Sequence, residues 1–162
     1  MNKLKTVFVD RDGVINQERS DYVKSISELE IYPNVAKNIK LLKDAGFLVI
    51  VITNQSAVNR GIVTHEMINQ IHNSIQDHLK KYGTFLDGFY YCPHTPNENC
   101  NCRKPKSGLL EKAILELNID LNSSWMIGDS DSDIEAANSI GCKAIKISGS
   151  FSLDNAVKKI LN

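Results

Sequence analysis

Phe47-Leu48-Val49-Ile50-Val51-Ile52 is an unbroken apolar run, and a strand apolar at every position must be covered on both faces. Parallel strands sandwiched between helices have this pattern; antiparallel strands with one wet face alternate instead. The rest of the chain supplies the cover. Leu4 to Val9 is β-branched and alternating, and reads as a first strand. Pro33 opens a helix on which Val35, Ile39, Leu42 and Ala45 share a face, and Gly46 ends it. Thr64 is placed to cap a second helix, where Ile68, Ile71, Ile75, Leu79 and Tyr82 recur at helical spacing and the aliphatics belong to the core. Further strands are expected over Phe85–Tyr91, Ser124–Ile127 and Lys143–Ile147. Helices are expected from Ser107 or Gly108 through Leu117, over Asp131–Ile140 and over Ser152–Leu161. This order predicts an α/β fold with a Rossmann-like, doubly wound parallel sheet. A length of 162 residues fits one domain spanning 1–162.

Charge narrows the partners. The 19 basic and 19 acidic residues cancel, leaving no electrostatic footprint for nucleic acid or an anionic membrane. No apolar run reaches membrane length, and the N-terminus carries no signal-peptide core. A cytoplasmic protein is therefore expected, its four cysteines reduced or metal-bound rather than bridged.

The chemistry gathers at strand ends. Asp10-Arg11-Asp12-Gly13 follows the first strand, and ligands of open α/β sheets bind just beyond the carboxyl ends of strands. Two carboxylates there can hold a hard cation and attack phosphorus, while Gly13 lets the chain turn away. The stretch from Asn16 to Tyr32 lacks periodicity and reads as a loop placed to touch substrate. Thr53-Asn54-Gln55-Ser56 follows the second strand, offering a hydroxyl, amides and backbone N–H groups to phosphate oxygens. Arg103-Lys104-Pro105-Lys106 lies ahead of a helix; the lysine suits a phosphoryl group as a point charge and the arginine can grip oxygens bidentately. Gly128-Asp129-Ser130-Asp131-Ser132-Asp133 brings Asp129 to the same edge, facing Asp10 and Asp12. The oxygen-only donors suit Mg²⁺, and the run lacks the central glycine and distant glutamate of an EF-hand loop.

A second constellation is separate from the first. Cys92-Pro93-His94 and Cys100-Asn101-Cys102 supply four ligands spaced for tetrahedral zinc, in a loop over 92–102. With no open position left, such a zinc is structural. Cys142 reads as a small core residue. His65, His72 and His78 on the long helix are expected to face solvent and have no catalytic role.

Taken in order, Asp10-Arg11-Asp12-Gly13, Thr53-Asn54-Gln55, Lys104, and Gly128-Asp129 with Asp133 resemble the four motifs of the haloacid dehalogenase superfamily. The zinc loop and the phrases Asp10–Asn16, Thr53–Gly61 and Cys102–Gly108 resemble a narrower group within it, the heptose bisphosphate and histidinol phosphate phosphatases, with Asn59-Arg60-Gly61 closer to the former. The resemblance implies Asp10 as nucleophile, Asp12 as general acid and base, and Mg²⁺ on Asp10, the Asp12 backbone carbonyl and Asp129. Thr53 and Lys104 would steady the phosphoryl group, with Asp133 orienting Lys104 or the metal shell rather than binding metal itself. Arg103, Asn54, Gln55, Ser56 and the segment Glu18, Arg19, Ser20, Asp21, Tyr22 would bind substrate. With no large cap domain, the zinc loop and Glu18–Tyr22 would stand in for one. The implied reaction is hydrolysis of a sugar phosphate by a monomer, removing the 7-phosphate of D-glycero-D-manno-heptose 1,7-bisphosphate for surface polysaccharide. Histidinol phosphate is the alternative substrate, and a non-catalytic zinc-loop interaction module is the alternative class. Ala57, Ser107 and Ser130 depart from the group's usual glycine, proline and basic residue.

Overall fold

A computed structural model describes residues 2–162. Five strands form one sheet: β1 Thr6–Val9, β2 Leu48–Asn54, β3 Gly88–Cys92, β4 Trp125–Gly128 and β5 Lys143–Lys146, in the order β3-β2-β1-β4-β5. All four pairings are parallel. The helices are α1 Val35–Asp44, α2 His65–Lys80, α3 Gly108–Leu117, α4 Asp131–Ser139 and α5 Leu153–Leu161. Alternation along the strands sorts them onto two faces. Val7, Val9, Val49 and Val51 pack with Ile39 and Leu42 of α1, Ile71 and Ile75 of α2, and Val157 of α5. Phe8, Ile50, Ile52 and Met126 pack with Leu110 and Ala113 of α3 and Ala136 and Ala137 of α4. The apolar run of β2 is thus covered on both sides, each buried aliphatic contributing about 1.5–3 kcal/mol.

Strand order fixes where a ligand can sit. The chain runs outward from β1 through β2 to β3, then crosses back to β4 and β5. The crevice of such a sheet opens at this reversal, above the carboxyl ends of the central strands. Asp10 follows β1 directly, and Asp129 follows β4.

Several boundaries differ from the sequence expectation, for local reasons. β2 runs on to Asn54 because Thr53 and Asn54 pair with Tyr91 and Cys92. β3 begins only at Gly88, since the Gln76 side chain accepts from the Leu86 N–H (2.9 Å) and donates to its C=O (2.7 Å), and the Asp87 carboxylate accepts from the Val49 N–H (2.8 Å) and from Lys43 (2.6 Å). The Thr64 hydroxyl caps α2 by accepting from Met67 N–H at 3.1 Å. Beyond the end of that helix, Tyr82 is 59% exposed rather than part of the apolar stripe. His72 corrects the expectation of a solvent-facing residue: it is 4% exposed, stacked on Phe89 at a centroid distance of 4.3 Å. The segment 16–32 is ordered by a bridge between Asn16 and Ile31, by Gln17 N–H donating to Glu30 C=O at 2.8 Å, and by a 3₁₀ turn at Ile26–Glu28.

The face assignment of α2 is open to a direct check. Ile71→Ala should lose about 2–5 kcal/mol, lowering Tm by about 2–4 °C per kcal/mol. Tyr82→Ala should stay within about 0.5 kcal/mol of the parent. Thermal melts of equal depth for the two variants would contradict the assignment.

Candidate active site

Two glycines allow the acidic residues to converge. Gly13 has φ +87°, and a Cβ there would collide with the Asp129 carboxylate. A Cβ on Gly128 would run into Asp133. The turn after β1 and the start of α4 therefore close together only because neither glycine carries a side chain. Asp133 is itself fixed as the third residue of a capping box, its Oδ2 accepting from Ser130 N–H at 3.2 Å and Ser130 Oγ at 2.9 Å.

The opposite Asp133 oxygen pairs with the Lys104 ammonium. Lys104 also donates to the Ile52 carbonyl at 2.8 Å and lies 3.1 Å from Asp10 Oδ1. Burial pulls this lysine toward its neutral form, but Asp10 and Asp133 outweigh it and hold its pKa above the ordinary value. Asn54 clamps the lysine backbone, donating to its C=O at 3.1 Å and accepting from its N–H at 3.0 Å.

Asp12 faces a different set of partners. Its Oδ1 accepts from Arg11 Nε (3.3 Å), Arg11 Nη2 (3.0 Å) and Asn16 Nδ2 (2.9 Å). Its Oδ2 accepts from Gln55 Nε2 at 2.8 Å, and the same amide reaches Thr53 Oγ1 at 3.0 Å. Arg11, Asn16 and His72 are functional neighbours that sequence reasoning missed. Arg11 is fully buried, and its Nη1 meets His72 Nε2 at 3.3 Å. The available signal was an arginine wedged between two aspartates at a strand end.

Asp10, Asp129 and Asp133 each bring an oxygen to within 4.8 Å of the others. Burial, reinforced by Asp133, Asp12 and Asp129, pushes Asp10 up to about 7 in spite of Lys104. Burial and Asp133 likewise raise Asp129. One lysine does not balance these carboxylates, and an all-oxygen donor set of this kind fits a hard divalent cation. A second group, Cys92, His94, Cys100 and Cys102, also converges within 4.8 Å. Its closest approaches are Cys92–Cys102 at 2.9 Å, and His94 Nδ1 at 3.2 Å from both Cys92 and Cys102. Three thiols and an imidazole nitrogen so placed fit tetrahedral zinc.

A cavity of 420 Å³ opens over the strand ends, lined by Asp10, Asp12, Thr53, Lys104, Asp129 and Asp133 at its floor. Asn54, Gln55, Ser56, Arg103, Glu18, Arg19, Ser20 and Tyr22 also line it, as do Arg60, Ser130 and Ser132, which the sequence reading had not assigned. Asp21 does not: it turns to Lys24 (2.8 Å) and Arg19 (3.2 Å). Arg103 joins the two constellations, donating from Nη1 to the His94 carbonyl at 3.3 Å.

Comparison with known proteins bears on this geometry. The HAD-hydrolase-like family model matches residues 101–159. A D-glycero-beta-D-manno-heptose-1,7-bisphosphate 7-phosphatase of Neisseria meningitidis is 38% identical over 140 residues, covering 86% of this chain and 75% of the relative. The enzyme of the same description from Helicobacter pylori is 42% identical over 137 residues, covering 84% and 79%. The chain belongs to the HAD-like phosphatases. A solved D,D-heptose 1,7-bisphosphate phosphatase from B. bronchiseptica, complexed with magnesium and phosphate, superposes on this HAD-like phosphatase with a TM-score of 0.90. That pair shares 29% identity, with 98% of each chain covered.

Because the Asp10 carboxyl is raised, its ionisation destabilises the cation-free fold, a penalty absent below about pH 4 and full above about pH 7. Without divalent cations, Asp10→Asn of this HAD-like phosphatase should melt above the parent at pH 8 and level with it at pH 4. Added Mg²⁺ should raise the parent's Tm more than the variant's. Scanning fluorimetry that finds no pH-dependent gap would refute the charge imbalance.

Proposed function

We propose that this phosphatase removes the 7-phosphate of D-glycero-D-manno-heptose 1,7-bisphosphate through an aspartyl-phosphate. The observation that carries the reading is the convergence of Asp10, Asp12, Thr53, Lys104 and Asp129 on one cavity. The descriptions of its relatives name the sugar.

In this reading an Asp10 carboxylate oxygen attacks phosphorus and the bond to the sugar oxygen breaks. Asp12 gives its proton to that oxygen, releasing the alcohol, and then takes a proton from the water that attacks the phospho-aspartate. Phosphate leaves and Asp10 is restored. Thr53 and Lys104 hold the phosphoryl oxygens as their geometry changes. Arg103, with Glu18, Arg19, Ser20 and Tyr22, meets the remainder of the sugar phosphate. Asp10, Asp129 and the Asp12 backbone carbonyl would hold Mg²⁺, while Cys92, His94, Cys100 and Cys102 would hold structural zinc. Bound Mg²⁺ supplies positive charge between the attacking carboxylate and the phosphate. We take the enzyme to act as a cytoplasmic monomer of one domain. Among the described residues no helix is long and apolar enough to cross a membrane.

Phosphorus NMR with Mg²⁺ and the bisphosphate should show selective loss of the 7-phosphate resonance, with no turnover by Asp10→Asn. Turnover of histidinol phosphate alone would keep the chemistry and replace the substrate; inactivity toward both would favour the zinc-loop binding module.

The zinc loop yields a separate expectation. Cys100→Ser should raise KM several-fold while the protein stays folded, because Arg103 hangs from the loop at the His94 carbonyl. Steady-state kinetics beside a zinc assay and a melt decide it, and unchanged KM with zinc lost would overturn the role.

A further inference from the structure

Arg11 is a charged side chain with no solvent exposure, one residue from each of the two aspartates that face the cavity. A buried guanidinium persists only if its donors are met. Two of its nitrogens are spent on one oxygen of Asp12, at 3.3 and 3.0 Å. A third is directed to His72 Nε2 at 3.3 Å. His72 comes from the middle of α2, and its ring is held between Phe89, stacked at 4.3 Å, and Tyr91, edge-on at 5.9 Å. Burial, with Arg11 alongside, lowers His72 to about 3. The ring therefore stays neutral and presents an acceptor to the arginine across the working pH range.

The consequence falls on Asp12. With two arginine donors and the Asn16 amide on Oδ1, that oxygen is saturated. Oδ2 has the Gln55 amide as its one partner among the described residues, so it is the oxygen with room for a proton. We propose that Arg11 and His72 fix Asp12 in the orientation that aims Oδ2 at the leaving oxygen, which makes His72 a positioning residue for proton transfer. This inference rests on the reading of Asp12 as general acid.

Protonation matters unequally for different esters. A sugar alkoxide needs a proton as the phosphorus–oxygen bond breaks, whereas p-nitrophenolate leaves as a stable anion. The ratio of kcat/KM values for the two esters therefore isolates acid catalysis from phosphoryl binding, and a general acid contributes typically about 10²–10⁴-fold. His72→Phe and His72→Leu remove the acceptor while keeping an apolar side chain; His72→Gln keeps a carbonyl to receive the arginine. Each is assayed as full-length protein with Mg²⁺ on heptose 1,7-bisphosphate (or histidinol phosphate, if that is the ester hydrolysed) and on p-nitrophenyl phosphate.

The expected result is a sugar-ester to aryl-ester ratio about tenfold or more below the parent's in His72→Phe and His72→Leu, with KM little changed and the ratio restored in His72→Gln. An unchanged ratio in either folded apolar variant, or no recovery in His72→Gln, would overturn the proposal. Asp12→Asn separates the two layers of the argument. A selective loss there without one at His72 removes only the positioning role. An equal loss on both esters in Asp12→Asn removes the general-acid reading itself.

Discussion

Everything at the cavity floor is tied to one buried ammonium. Lys104 is 4% exposed, and an uncompensated charge at that depth would cost several kcal/mol or be given up as a proton. It is met by Asp10 from the end of β1, the Ile52 carbonyl from β2 and Asp133 from the first turn of α4. Its own backbone is held by Asn54 at the last residue of β2. Two neighbouring strands, a helix cap and the segment after the zinc loop therefore meet at a single nitrogen. Moving any of them alone would strand a charge in a dry place.

The same arrangement gives the site a donor set that fits a hard cation. One lysine pairs with two aspartates, and Asp129 adds a third carboxylate within reach of both. Burial makes this crowding expensive, as the raised Asp10 and Asp129 carboxyls record. A divalent cation would restore a balance that the protein alone does not reach.

Much of this was legible before any coordinates. Asp10, Asp12 and Asp129 could be placed because strand ends are readable from apolar runs, and the reversal of strand order then brings them together. The Cys92, His94, Cys100 and Cys102 quartet was readable because its spacing is local. Arg11 and His72 were not, because their contact spans 61 positions; His72 itself, four residues after Ile68 and three before Ile75, falls on the apolar stripe of α2, and only its polar identity disguised it. The segment 16–32 hid its order for a related reason. Ion pairs such as Arg19–Glu28 at 2.8 Å and Lys24–Glu28 at 3.0 Å, together with one short bridge, leave no periodic trace. Asp21 looked like a substrate contact for the same want of a pattern, but the structure gives it to Lys24.

The cavity has a floor and walls of different provenance. Asp10, Thr53 and Asp129 belong to the ends of central strands, whereas Glu18, Arg19, Ser20, Tyr22 and Arg103 stand on two connecting segments outside the sheet. Substitutions in those segments can reshape what enters without disturbing what reacts. Selection on what enters can therefore fall on residues other than those that carry the reacting groups.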